Sequence, residues 1–138
     1  MKYATELIVI CDYANLSQDG KLSVNGIFDE VYVQSFPGGI AQTYLVATIK
    51  GETNAPYKFD VKLLNIKNSK NYLNPITLTG NFGRNGKTNL IVGVNSLGFD
   101  EEGMYRFVIS DGDAEVGATT LNVMHAKNQS NQKFTQPN

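Results

Sequence analysis

Residues 41–50 alternate without interruption: Thr43, Leu45, Ala47 and Ile49 fall on one side, and Gln42, Tyr44, Val46 and Thr48 on the other. Successive side chains of an extended backbone point to opposite faces, so this spacing suits a strand and not a helix. Residues 57–65 repeat the pattern, with Tyr57, Phe59, Val61 and Leu63 set against Lys58, Asp60, Lys62 and Leu64. Shorter apolar runs at 5–12, 21–33, 76–82, 88–94, 104–110 and 115–124 are divided by Gly, Pro, Asn and Asp. Turn signals at that spacing predict an all-β chain, an antiparallel β-sandwich of immunoglobulin-like or related Greek-key topology with seven to nine strands. No ten-residue helical period interrupts them, so helix is expected only as a turn or two within 65–74.

Two of these runs carry extra information. In 5–12 both faces are apolar, Leu7, Val9 and Cys11 against Ile8 and Ile10, which suits a central or doubly covered strand. The run 21–33 is interrupted at Asn25-Gly26, which reads as a bulge in one long strand rather than a hairpin turn. Residues 35–39, with Phe36-Pro37-Gly38-Gly39, read as a loop. The sandwich is expected to occupy residues 1–125. Residues 126–138 are polar apart from Phe134 and read as a flexible tail.

Composition narrows the function classes. Charged residues make up 18% of the chain, 12 basic against 13 acidic, so no long-range field is available to draw in nucleic acid or a membrane surface. No apolar stretch reaches the roughly 18 residues of a membrane-spanning helix, and no secretory leader is visible, so a cytoplasmic protein is expected. One cysteine excludes an internal disulfide, and one histidine leaves little for a zinc site. No cofactor motif is present.

The candidate chemistry is thin. Residues 81–88 end like a phosphate-binding loop, but Thr88 opens a β-branched run where a helix is required. A hairpin turn with Arg84 and Lys87 in solvent accounts for the same letters. Asp100, Glu101 and Glu102 precede one strand, while Asp111, Asp113 and Glu115 follow it. A strand's two ends are apart, so these acids make a poor calcium site. Cys11 shares a face with Leu7 and Val9 and is expected to be a buried, inert thiol. An acid–base enzyme would need Asp12 or Asp29 to meet another acid in a cleft.

The most specific local pattern is structural. Gly103, Tyr105 and Phe107 follow Glu101-Glu102 at the start of a late strand, the arrangement of a tyrosine corner. Tyr105 is expected to be buried with its hydroxyl bonded to upstream backbone. Phe107 then stands where an antibody domain has its second cysteine.

Several pieces, in order, carry a wider resemblance: Ile10-Cys11-Asp12-Tyr13-Ala14, Gly20-Lys21-Leu22, Gly26-Ile27-Phe28-Asp29, Phe36-Pro37, Leu45-Val46-Ala47-Thr48-Ile49, and the segment 98–107. Across about residues 4–124 the chain resembles a family of small, uncharacterised prokaryotic proteins, the domain family numbered 6941. The resemblance implies a compact all-β protein of microbial or viral genomes. It brings no substrate, cofactor or catalytic residue.

By subtraction, the expected function is that of a non-enzymatic β-sandwich meeting a protein partner or itself within a larger assembly. A small-molecule or carbohydrate module and a carboxylate-dependent enzyme are the alternatives. The interaction candidates are Phe36, Pro37, Tyr32 and Tyr44, with Tyr13 as a further aromatic platform for a ligand. Phe36 has two roles open to it: an anchor for a partner, or a plug over the end of the core.

Overall fold

The computed structural model describes residues 2–128. Nine strands follow one another: β1 (Ala4–Leu16), β2 (Leu22–Phe28), β3 (Glu30–Val33), β4 (Gly38–Lys50), β5 (Pro56–Asn65), β6 (Ile76–Asn81), β7 (Lys87–Phe99), β8 (Gly103–Asp111) and β9 (Ala114–His125). They form a four-stranded sheet in the order β2-β1-β4-β7 and a five-stranded sheet in the order β3-β9-β8-β5-β6. All pairings are antiparallel except β3 with β9, which is parallel. The neighbours β4–β7 and β5–β8–β9 reproduce the B–E and C–F–G adjacencies of immunoglobulin-like sandwiches. β1 lies against β4, and β2 is pushed outward.

The alternation that identified the strands also fills the core. Leu45, Ala47 and Ile49 of β4 face Phe59, Val61 and Leu63 of β5 and Phe107, Ile109, Leu121 and Val123 beyond, all buried. This area is removed from water at about 25 cal/mol per Å².

Several expectations are corrected. The run 21–33 is not one strand. It leaves the four-stranded sheet after Phe28, passes Asp29, whose carbonyl accepts the Asn122 amide at 2.8 Å, and joins the other sheet as β3. Asn25-Gly26 is neither hairpin turn nor register slip: β2 pairs with β1 in register on both sides of it, with Gly26 at φ 70°. The glycines of 35–39 belong to β4. Gly39 is there because a Cβ would stand 1.9 Å from the Leu97 carbonyl oxygen, a close approach rather than a turn. Residues 65–74 hold turns and one isolated bridge, Leu64 with Asn71, instead of helix. The single helical turn among the described residues is 3-10, at Ala126–Asn128. The rest of the expected tail, with Phe134, lies outside the described residues. Residues 81–88 join β6 of one sheet to β7 of the other rather than forming a hairpin, and Lys87, at the surface, pairs with Glu6 at 2.8 Å.

Candidate functional site

The four-stranded sheet does not stay one sheet along its whole length. β1 pairs with β4 only as far as Cys11 opposite Tyr44. Past that point β1 continues with β2 alone, to the turn where the Ser17 amide bonds the Lys21 carbonyl at 2.9 Å. β4, traced back from Tyr44 to Gly38, continues with β7 alone. Two ribbons therefore diverge at one end of the sandwich.

Side-chain phase changes where they part. β7 buries Leu90, Val92 and Val94, then Leu97 and Phe99, and the switch falls at Ser96, whose φ is 55°. On β4 Thr43, Leu45, Ala47 and Ile49 are buried on one face and Val46 on the other, yet Ile40 also packs onto the core of the first set. On β1, Val9 and Cys11 share a small cluster with Val46 and Tyr44, and the same cluster takes Ala14 with Leu22 and Val24 of β2. Positive φ at Gly26 and Ser96 marks the break on the two edge strands.

Between the ribbons lies a cleft of about 340 Å³, lined by Asp12, Gly26, Ile27, Phe28, Glu30, Val31, Ile40 and Gln42. Four strands contribute to it. The Tyr32 hydroxyl donates to Glu30 Oε1, which raises the Tyr32 pKa because the carboxylate favours the protonated phenol. Gln42 Nε2 donates to the Tyr44 hydroxyl at 3.1 Å, and the Tyr44 ring meets Tyr13 edge-on at 5.7 Å. Two of the aromatic residues singled out from sequence, Tyr32 and Tyr44, are thus each bonded to a residue of the cleft wall.

The other candidates go elsewhere. Phe36 is half-buried against the core, 6.0 Å from the His125 ring, and Pro37 beside it is exposed. Asp29 lines an adjoining cavity with Ile8, Ile10 and Thr119, so it does not meet Asp12. The acid that shares a cleft with Asp12 is Glu30, which sequence reasoning did not consider. Cys11 is fully buried, and burial pushes its thiol pKa up. Tyr105 is buried beneath Tyr72 and Phe99 and donates to the Glu101 carbonyl at 2.7 Å. Its pKa is pushed up to about 12, first by burial and then by Tyr72. Phe107 is fully buried in the main core, and Gly103 opens β8.

The late acids are separated as the strand geometry demands. Asp100 meets Lys70 at 2.8 Å and Tyr72 at 3.1 Å, while Asp111 accepts the Tyr3 hydroxyl at 2.9 Å and Glu115 holds Arg106 at 2.6 and 2.7 Å. Among the described residues no three His, Cys, Asp or Glu groups gather as they would around a metal ion. No helix among them is long and apolar enough to cross a membrane.

The pieces that resemble a known family lie along this frame, from β1 through the β2–β3 crossing to β8. A family described as one of unknown function, DUF6941, matches residues 6–124, from the first strand into the last. The chain belongs to that family. No curated protein matches it in sequence. The fold recurs in larger solved proteins. A β-glucosidase from Listeria innocua in complex with glucose aligns with 88% of this chain and 16% of its own, at 11% identity and a TM-score of 0.51. An alkylpurine DNA glycosylase from Pseudomonas fluorescens, bound to DNA containing an abasic site analogue, aligns with 89% of this chain and 30% of its own, at 8% identity and a TM-score of 0.52. An immunoglobulin-like protein from Pseudomonas aeruginosa aligns with 89% of this chain and 97% of its own, at 9% identity and a TM-score of 0.47. The chain therefore spans a sixth to a third of the two enzymes. At such identities the likeness concerns the fold.

Proposed function

We propose that this protein is a non-catalytic binding module that works through contact with another protein, and that the contact surface is the end where the four-stranded sheet divides. One observation carries the reading. Five large apolar side chains are exposed among the described residues, and three of them, Tyr13 (50% exposed), Leu16 (49%) and Ile27 (62%), sit on the β1–β2 ribbon. A ribbon with only one neighbouring strand is a poor place to spend apolar residues unless something covers them. The chain's correspondence to a sixth of one enzyme and under a third of another fits a module of this kind.

The test compares the two ends of the sandwich. The triple variant Tyr13→Ser, Leu16→Ser, Ile27→Ser removes the ribbon's apolar surface. Arg84→Ser, in the exposed stretch 83–85 at the opposite end, is the control. Light scattering and partner retention should fail for the ribbon variant and persist for the control, with both melting near wild type. Retention unaffected by the ribbon variant would refute the surface.

A further inference from the structure

We infer that the cleft between the ribbons receives a lysine or arginine side chain of the partner protein. The inference rests on the protein-contact reading above and adds the partner's chemistry. Among the described residues the cleft's polar side chains are Asp12, Glu30 and Gln42, and no lysine, arginine or histidine lines it. The ion pairs of the described residues use Asp19, Asp100, Glu6 and Glu115, so neither Asp12 nor Glu30 is paired with a cation among the described residues.

The hydrogen-bond inventory is weighted to acceptors. Both carboxylates are acceptors only at neutral pH, and Tyr32 occupies one oxygen of Glu30 and leaves the other. One N–H of the Gln42 amide is spent on Tyr44, which leaves one N–H and, as a third acceptor, its carbonyl oxygen. Guanidinium and ammonium groups are donors only, and so complement such a wall. The remaining lining, Ile27, Phe28, Val31 and Ile40, is apolar. A lysine or arginine carries three or four methylenes that pack on surface of this kind while its head stays among the acceptors. An acidic side chain meets two like charges there, and a neutral apolar one leaves the carboxylates without a partner.

The experiment is a titration of the ¹⁵N-labelled protein, followed by its amide spectrum, with N-acetyl-arginine amide and N-acetyl-lysine amide as probes. N-acetyl-norleucine amide, N-acetyl-glutamate amide and glucose are the controls. The cationic probes should give saturable shifts at Gly26, Ile27, Glu30 and Gln42. Their affinity should fall about fivefold or more between about 20 and about 300 mM salt, and by a similar factor in Asp12→Asn, Glu30→Gln. Both of these side chains are at the surface, so this variant should keep the wild-type spectrum elsewhere.

Equal shifts from norleucine amide or glucose, equal shifts at Asp19 and Asp113, or unchanged affinity in the double variant would each overturn the inference. A wild-type dimer that the double variant dissolves would overturn it too, by making a second copy the occupant. If no cation shifts the cleft while the ribbon variant still loses its partner, this inference falls and the protein-contact reading stands. If the cleft titrates as expected while association ignores the ribbon, the partner fails as the source of the cation, and the site is one for a free amine or guanidine.

Discussion

The two ends of the sandwich are built on opposite principles. At one end the 51–55 and 82–86 turns interlock: the Gly51 amide bonds the Gly86 carbonyl at 2.8 Å, and the Phe82 amide bonds Ala55 at 2.9 Å. Beneath them Tyr3, Tyr57, Phe59 and Phe82 pack with ring centroids 5.0 to 6.4 Å apart. Their hydroxyls are satisfied, Tyr3 by Asp111 at 2.9 Å and Tyr57 by Thr88 at 3.0 Å. At the other end only half the sandwich is closed this way, by Tyr72, Phe99 and Tyr105. The other half parts into ribbons, exposes Tyr13, Leu16 and Ile27, and holds two carboxylates that no cation among the described residues pairs. The contrast separates the residues that hold the fold from the residues left over for recognition.

The contrast predicts a graded series of effects. The largest belongs to the interlocked end. Phe82 is 2% exposed and touches three other rings, so Phe82→Ala should cost about 3–5 kcal/mol of unfolding free energy. A denaturant midpoint close to wild type would break the comparison at its root. Phe36→Ala, at the divided end, comes next. The ring is half-buried, so about 1–2 kcal/mol is expected, with association unchanged if Phe36 is a plug. Unchanged stability with lost association would make it a contact residue and enlarge the surface.

Tyr105→Phe keeps the ring packing and removes the bond to the Glu101 carbonyl, for about 1 kcal/mol. A midpoint identical to wild type would show the corner to be ornamental. The smallest effect is the response to acid. Exposed ion pairs occur at both ends, Glu6 with Lys87 and Asp100 with Lys70 among them, and in both of these the cation holds the carboxyl pKa below its ordinary value. A lowered folded-state pKa gives stability that is present above the unfolded value, near 4, and is lost as pH falls through the folded one. Glu6→Gln and Asp100→Asn should therefore shift the melting temperature by no more than about 2 °C at pH 7, with the difference from wild type vanishing at low pH. A larger shift for one alone would reveal an asymmetry that these exposed pairs do not explain.

Much of the fold is legible because its signals are local. Alternation in 41–50 and 57–65 is a property of neighbouring residues, and it placed β4 and β5 on the correct faces. The spacing of Glu101, Gly103, Tyr105 and Phe107 lies within one strand entrance, and the hydroxyl of Tyr105 closes back over four residues. Cys11 is buried on the face shared with Val9, as its phase required.

The recognition end was not legible for the complementary reason. Asp12, Glu30 and Gln42 come from β1, β3 and β4, and no spacing in the chain marks them as neighbours. They meet because the chain changes sheets at Asp29 and because β1 parts from β4 after Cys11, both outcomes of which distant strands win the backbone hydrogen bonds. Gly39 signalled a loop but serves a close approach to Leu97, a residue almost sixty positions away. Side-chain phase is written into adjacent residues by the geometry of the extended backbone. Where a sheet divides, and which side chains then share the opening, is decided only by the balance of pairing and packing among segments far apart in the chain.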